Sequence, residues 1–250
     1  MTPAARERSR VRTPLLVVTA ISWVLLLFEA RATQLNAHCA MDAWDQSAGE
    51  AVPHSMGQFG PSQLMSGWLL MLSAMMLPML IAPVRHVYDQ SLARRRIRSI
   101  MIFLAGYVGF WIAAGAIFIA LMISMREMIS GHAWATICSG VGVALFWQFS
   151  PARQYCLNRQ HFHPALAPFG IAADLGPLRF GLEHGSWCAG SCWAFMLVPL
   201  CFTQGHLFAM TAVTLFMWAD KLEPPLRPAW QLRLPRKAAN IVIAELVSCF

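Results

Sequence analysis

Four side chains that could bind a soft metal ion recur every fourth residue in one apolar stretch. They are His184, Cys188, Cys192 and Met196. On an α-helix, residues four apart lie one above the other, so these four form a single stripe. Thiolates, thioethers and imidazoles are donors that soft or borderline metal ions prefer. The spacing therefore predicts a metal site on one helix. In the alternative interpretation the cysteines, which are small and apolar, only pack between helices.

The composition predicts that this helix lies in a membrane. Hydrophobic residues make up 57% of the 250-residue chain, charged residues only 12%, and the mean hydropathy is +0.51. An ordinary soluble domain has about twice that charged fraction. We therefore expect an all-α fold, a polytopic membrane helix bundle that forms a single integral membrane domain over residues 1–250.

Six apolar segments are predicted to cross the bilayer. They cover residues 14–30, 64–84, 100–123, 133–149, 185–203 and 206–220, and residues 221–250 form a tail. If both termini are cytoplasmic, 17 of the 19 Lys and Arg residues lie on the cytoplasmic side, with Arg31 and Arg126 outside. The first segment could also belong to a cleavable signal peptide, because a basic head precedes it and the triplet Ala30-Arg31-Ala32 follows its apolar part. We favour a first span that is retained.

The net charge of +7 does not indicate nucleic-acid binding. The basic residues cluster between apolar segments, which is how membrane proteins fix their orientation. The segments 85–98, with its basic run at 94–96, and 150–182 are accordingly expected to be solvated cytoplasmic loops. Seven cysteines are an odd number scattered along the chain, so free thiols are expected.

The second span carries a row of thioether sulfurs at Met71, Met75 and Met79. Pro78 lacks an N–H, so it frees the carbonyl of Ala74 and predicts a kink there. A kink is tolerated in lipid where neighbouring groups satisfy the freed backbone, so this helix is expected to face protein. Methionine rows also occur as flexible packing.

The fifth and sixth spans are predicted to be antiparallel, with a tight turn near Gln204. This pairing places Cys188 level with Asp220, and Met196 one helical turn from Met210. The second span would then bring its methionines into the same half of the bilayer as the two thiols.

Sulfur donors at low dielectric suit Cu(I), because this ion prefers soft ligands and its low charge makes burial less costly. Zinc more often takes four Cys or His ligands. We therefore expect copper as the cargo. A second group of possible ligands, in the polar stretch 31–61, could capture metal from outside, or could be an ordinary connection: His38, Cys39, Met41, His54 and Met56.

The chain resembles a bacterial family of predicted metal-binding integral membrane proteins, a domain of unknown function that is copper-chaperone-like. The likeness is carried by four stretches, Trp68–Pro78, Gln148–Leu157, Gly185–Met196 and Asp220–Lys221. The family pattern often has a cysteine at the position of Ser191 and another near Gln160, and it commonly has Glu in place of Asp220. The resemblance implies copper and a multi-pass protein of the bacterial inner membrane.

Three functions follow from these features. The first is a metal-handling protein that delivers Cu(I) to a protein partner or matures that partner. The second is a membrane-bound metal-dependent oxidoreductase, or a subunit of one, but the spans lack a His-rich or carboxylate-rich cluster for oxygen activation. The third is a helical scaffold whose Cys and Met residues only pack. We expect the first, and expect the protein not to be an enzyme.

Overall fold

The computed structural model describes residues 3–44, 61–128, 133–202, 205–231 and 235–248, and every regular element in these ranges is helical. The all-α prediction is therefore confirmed for the described part of the chain. The helices are α1 (Pro3–Trp44), α2 (Pro61–Met76), a 3₁₀ turn (Leu77–Leu80), α3 (Ile81–Gln90), α4 (Arg96–Met128), α5 (Ala133–Phe149), α6 (Pro151–Arg159), α7 (Ala172–Cys201), α8 (His206–Lys221) and α9 (Arg236–Ser248).

Three helical stretches are long and apolar enough to cross a membrane. They are Ser9–Glu29, Met65–Gln90 and Arg96–Leu121, and Ile137–Phe149 is a shorter apolar helix. Each of the six predicted spans lies largely within a helical part of the chain, and the helix of the fifth span ends at Cys201. Six crossings and the cytoplasmic placement of both termini remain predictions.

The chain divides into two compact units, Met1–Ile81 and Ala82–Phe250. In the first unit α1 packs against α2. The indole of Trp23 donates a hydrogen bond of 3.1 Å to the Ala74 carbonyl, the group that Pro78 leaves without its helical donor. The hydroxyls of Ser22 and Ser73 lie 2.6 Å apart beside it. The α-helix is interrupted at Pro78 by a 3₁₀ turn, at the place where a kink was predicted. The freed Ala74 carbonyl is bonded by a side chain of the neighbouring helix α1.

The first helix is longer than its predicted span. The stretch after residue 30 was expected to be a polar loop, but α1 continues to Trp44. The segment 31–44 contains no Gly or Pro and is rich in Ala, which favours helix even where hydropathy falls. The side chains of His38, Cys39 and Met41 are outside the described part, as are residues 54 and 56 entirely.

In the second unit α7 is the central helix and contacts α4, α5, α6 and α8. Its closest approach is to α4, where a Cβ at Gly181 would overlap the Phe103 carbonyl, and a Cβ at Gly106 would lie 2.6 Å from the Leu178 carbonyl. Small residues at such contacts let two helix backbones meet.

The start of α7 is hydrogen-bonded to the N-terminal end of α4 and the residue that precedes it. Asp174, in the first turn of α7, accepts hydrogen bonds of 2.8 Å from Arg95 and from Arg98. An acidic side chain there also interacts favourably with the helix dipole. The basic run at 94–98, expected to be simply solvated, therefore also fixes one end of the central helix.

The predicted cytoplasmic loop at 150–182 is largely helical. Ser150 caps α6 by accepting a hydrogen bond of 3.2 Å from the Ala152 N–H, and Pro151 occupies the first turn. α7 then begins at Ala172, well before its apolar half. The prediction of a loop was wrong because these turns are polar, and hydropathy does not distinguish a polar helix from a loop.

Candidate metal site

The four side chains of the predicted stripe lie on α7, and all are buried. The exposed fractions are 2% for His184, 1% for Cys188, 3% for Cys192 and 0% for Met196. The helix is continuous through these residues, so the spacing places them on consecutive turns as expected. Burial on all four turns is compatible both with a metal site and with packing.

The two thiols interact with their surroundings. The Cys192 thiol donates a 2.8 Å hydrogen bond to the Cys188 carbonyl. The Tyr107 hydroxyl of α4 lies 3.5 Å from the Cys188 sulfur, within hydrogen-bonding distance for sulfur. Tyr107 can therefore donate a hydrogen bond to this sulfur when it is a thiolate, the form that ligates metal.

A chain of hydrogen bonds connects these turns of α7 to the end of α8. The Lys221 ammonium donates to the Gln160 side-chain oxygen at 2.8 Å, and the Gln160 amide donates to the Ser191 hydroxyl at 2.5 Å. The Ser191 hydroxyl in turn donates to the Cys188 carbonyl at 2.9 Å. The Lys221 ammonium thus lies at the end of a hydrogen-bonded chain that reaches the Cys188 carbonyl. Ser191 and Gln160 mark the places where the related family pattern often has further cysteines. Here these two side chains are hydrogen-bonded to each other.

A buried ion pair lies on the same side of α7. Arg153 of α6 and Asp220 of α8 are 2.5 Å apart, and their side chains are only 3% and 1% exposed. Arg153 also donates to the Ser191 carbonyl at 3.2 Å and stacks over the Phe195 ring. The expectation that Arg153 lies in a solvated loop was wrong, because a buried carboxylate on α8 recruits it. Asp220, a predicted ligand, is held by this guanidinium.

His184 lies among aromatic rings. Its ring centroid is 5.8 Å from that of Phe180, 6.1 Å from Tyr107 and 6.3 Å from Phe103. Its buried Nε2 has no hydrogen-bond partner within the described residues. Buried imidazole nitrogens normally have one, so this atom has donor or acceptor capacity to spare.

Two further histidines lie next to this aromatic group, in segments that the sequence treats as loops. The rings of His86 and His163 are 5.0 Å apart, and both pack against Phe180. Burial lowers the pKa of His163, and the nearby charges of His86 and Lys221 lower it further. The hydrogen bond to the His161 carbonyl raises this pKa but does not cancel the decrease. His163 is therefore held towards its neutral form, which is the form that binds metal.

The remaining predicted ligands lie on other helices. Met71 and Met75 of α2 are 4% and 0% exposed, and Met210 of α8 is 0% exposed. Met79 is only half-buried, since it falls in the 3₁₀ turn. A 3₁₀ turn has three residues per turn, so Met79 is rotated away from the row that an α-helix would form. The predicted regular row of three methionines is therefore interrupted.

Within the described ranges, no three His, Cys, Asp or Glu side chains are grouped so that they could hold a metal ion. Within these ranges the thiol pair is therefore not joined by a third His, Cys, Asp or Glu ligand, and its two donors are sulfur atoms. This donor set favours a soft ion over zinc or a hard dication.

The cysteines of the described region form no disulfide with one another, as expected. Cys138 of α5 is exposed, Cys156 of α6 is half-buried, and Cys201 of α7 is buried. Burial raises the pKa of Cys156, whose sulfur packs where a Cβ on Gly190 would otherwise lie. These three provide matched controls for experiments on the central pair.

The family model PpoB2, described as a copper chaperone, matches residues 65–243, more than two thirds of the chain. The chain belongs to this family. The resemblance inferred from four short stretches is thus confirmed, and the PpoB2 match includes the second predicted span and both thiols. No curated protein and no solved structure matches the chain.

Membership of the PpoB2 family connects the chain with copper handling and implies a protein that receives the metal. The matched region begins after the candidate capture residues in the stretch 31–61. Those residues therefore lie outside the part of the chain that the copper chaperone family describes.

Sequence reasoning missed four side chains that surround the thiols: Tyr107, Arg153, Gln160 and Lys221. One signal was available for Arg153. Asp220 ends an apolar helix at the predicted level of Cys188, and a buried carboxylate needs a cationic partner. No comparable signal pointed to Tyr107, because an aromatic residue in an apolar helix is usually part of the packing.

Proposed function

We propose that this PpoB2 family member is a multi-pass protein of the bacterial inner membrane that binds Cu(I) and delivers it to a partner protein. The observation that carries the proposal is the pair of buried thiols of Cys188 and Cys192 on consecutive turns of α7, where the Cys192 thiol bonds the Cys188 carbonyl. Family membership supports copper as the cargo.

Cys188 and Cys192 are the primary ligands in this proposal. Met196 and His184 lie one turn beyond them on either side, within the same buried stripe. Each thiol gives up its proton when it binds the ion, so the hydrogen bond from Cys192 to the Cys188 carbonyl is lost. The Tyr107 hydroxyl can then donate to the Cys188 thiolate.

The other sulfur donors and the outer ligands belong to the same proposal. Met71, Met75, Met79 and Met210 remain predicted additional ligands. The capture role for the histidines and methionines of the stretch 31–61 also remains a prediction. A weakly held soft ion can exchange between sulfur ligands, which is the chemistry that delivery to a partner needs.

The test is the copper content of the purified protein. Wild-type protein and a Cys188→Ser/Cys192→Ser double variant are purified in detergent after growth with copper, and bound copper is measured by elemental analysis. A Cys138→Ser/Cys201→Ser variant loses two thiols from the same unit and serves as the matched control. We expect the control to retain copper at the wild-type level and the first variant to lose it.

Copper retained unchanged by the Cys188→Ser/Cys192→Ser variant would reject this site. A wild-type protein that stays empty of copper would instead favour the scaffold function, in which the thiols only pack.

A further inference from the structure

Among the described residues of the second unit, Lys221 is a cation near the thiols that no carboxylate neutralises. The buried Arg153 is paired with Asp220 at 2.5 Å. Lys221, by contrast, donates only to the neutral amide of Gln160 and forms no salt bridge with any described carboxylate. With both thiols protonated, the described surroundings of the pair therefore carry the uncompensated positive charge of Lys221.

Two side chains connect this charge to the metal-binding turns. The Gln160 side-chain oxygen accepts a hydrogen bond from Lys221, and the Gln160 nitrogen donates to the Ser191 hydroxyl and, at 3.2 Å, to the Trp187 carbonyl. Ser191 lies between the two cysteines on α7, and its hydroxyl donates to the Cys188 carbonyl. Gln160 thus holds the ammonium near the turn of α7 that carries both sulfurs. Lys221 as a whole is half-buried, but its ammonium is enclosed by the protein.

The charge of the bound complex depends on the ion. Two thiols release two protons and take up the ion, so a monovalent ion gives a complex of charge −1, while a divalent ion gives a neutral one. An uncompensated charge is costly to bury in a low-dielectric interior. A fixed cation beside the sulfurs therefore stabilises the monovalent complex and leaves the divalent complex with an unbalanced positive neighbour.

We propose that Lys221 is the specificity-determining residue of the thiol site, and that its ammonium, held by Gln160, makes Cys188 and Cys192 select a monovalent soft cation over a divalent one. Lys221 acts through charge and does not ligate the metal. This inference rests on the proposed function, because it requires that the thiol pair binds metal.

The experiment compares two thiophilic ions of different charge, Cu(I) and Hg(II). Both are titrated into full-length protein in detergent, in a background whose other five cysteines are alanine. Cu(I) affinity is measured anaerobically by competition with bathocuproine disulfonate, and Hg(II) affinity by the thiolate-to-mercury absorbance with a competing thiol.

Lys221→Met is expected to weaken Cu(I) binding by about tenfold or more and to leave Hg(II) binding unchanged or slightly tighter. Lys221→Arg keeps the charge and is expected to keep most of the Cu(I) affinity. Gln160→Glu leaves Lys221 in place but supplies a carboxylate for it, so it is expected to weaken Cu(I) binding selectively as well.

A structural role for Lys221 predicts equal losses for both ions, and that outcome would overturn the inference. Unchanged Cu(I) affinity in Lys221→Met and Gln160→Glu would overturn it too. These results differ from failure of the proposed function, in which neither ion binds the wild-type thiol pair and a Cys188→Ser/Cys192→Ser variant behaves as the wild type does.

Discussion

Among the described residues, two charged side chains near the thiols are buried. Arg153 and Asp220 are buried as a pair, since an ion removed from water is tolerated only when a partner and hydrogen bonds replace the solvent. Lys221 differs from them, because its partner is neutral. The described surroundings of the thiols thus hold one balanced ion pair and one cation without a carboxylate partner.

Removal of the guanidinium should leave a buried carboxylate without its partner. We expect Arg153→Met to destabilise the protein by about 3–5 kcal/mol, measured as unfolding in mild detergent. Arg179→Met is the matched control, since Arg179 bonds Glu183 at 2.7 Å but is 82% exposed. It should change stability by less than about 1 kcal/mol.

A double variant, Arg153→Met/Asp220→Leu, removes both charges and should recover much of the lost stability. If Arg153→Met unfolds no more easily than Arg179→Met, the pair is not buried as described.

At the scale of helices, the contact between α4 and α7 determines where the thiols lie. Gly181 sits directly against the Phe103 carbonyl, and Gly185 lies 3.1 Å, measured from an added Cβ, from Phe110. Tyr107 lies on the same part of α4, and this is how its hydroxyl reaches the Cys188 sulfur. The site therefore depends on a helix spacing that glycine alone permits.

Gly181→Ala places a methyl group against backbone that cannot rotate away. We expect a loss of about 1–3 kcal/mol, measured by thermal unfolding in detergent, together with weaker copper retention as α4 and α7 separate. Gly109→Ala on α4 is the control, because a Cβ there meets nothing within 4 Å. The control should be neutral or more stable by up to about 1 kcal/mol, since Ala is the better helix former. Equal stability of the two variants would contradict the close contact.

The helices that were located correctly from the sequence are the apolar ones, because a long run of apolar residues is enough to identify a helix of that kind. The interruption of the helix at Pro78 was also predictable. The hydrogen-bond donor that satisfies the Ala74 carbonyl was not, because it is an indole of α1 that no local pattern indicates. The polar helix α6 and the first turns of α7 were missed, because their stability comes from a cap and from tertiary contacts. The thiol stripe was predictable from spacing alone. Its polar neighbours come from α4, α6 and α8, and only the fold brings these together.

For the molecule as a whole, the positive-inside pattern predicts six crossings with both termini in the cytoplasm. Arg153 must now be removed from the count of solvated basic residues, because it is buried. The remaining basic residues still favour the same orientation, since the tails and the run at 94–98 supply most of them.

Topology reporters test this orientation directly. We expect an alkaline phosphatase fusion after Gly205 to be active, because this residue lies in the predicted outer turn. Green fluorescent protein fused at residue 250 should fluoresce, because the tail is predicted to be cytoplasmic. An active phosphatase fused after Arg94 would contradict the predicted orientation.

The glycine contacts along α7 have a consequence for how metal enters and leaves. A helix seated against its neighbour at Gly181 and Gly185 cannot slide or rotate without a steric clash, so its sulfur atoms are preorganised before any ion arrives. Loading would then require proton loss and side-chain rotation, with little backbone rearrangement. The empty and loaded forms would present nearly the same exterior to a recipient, and release would be governed by competition for the ion.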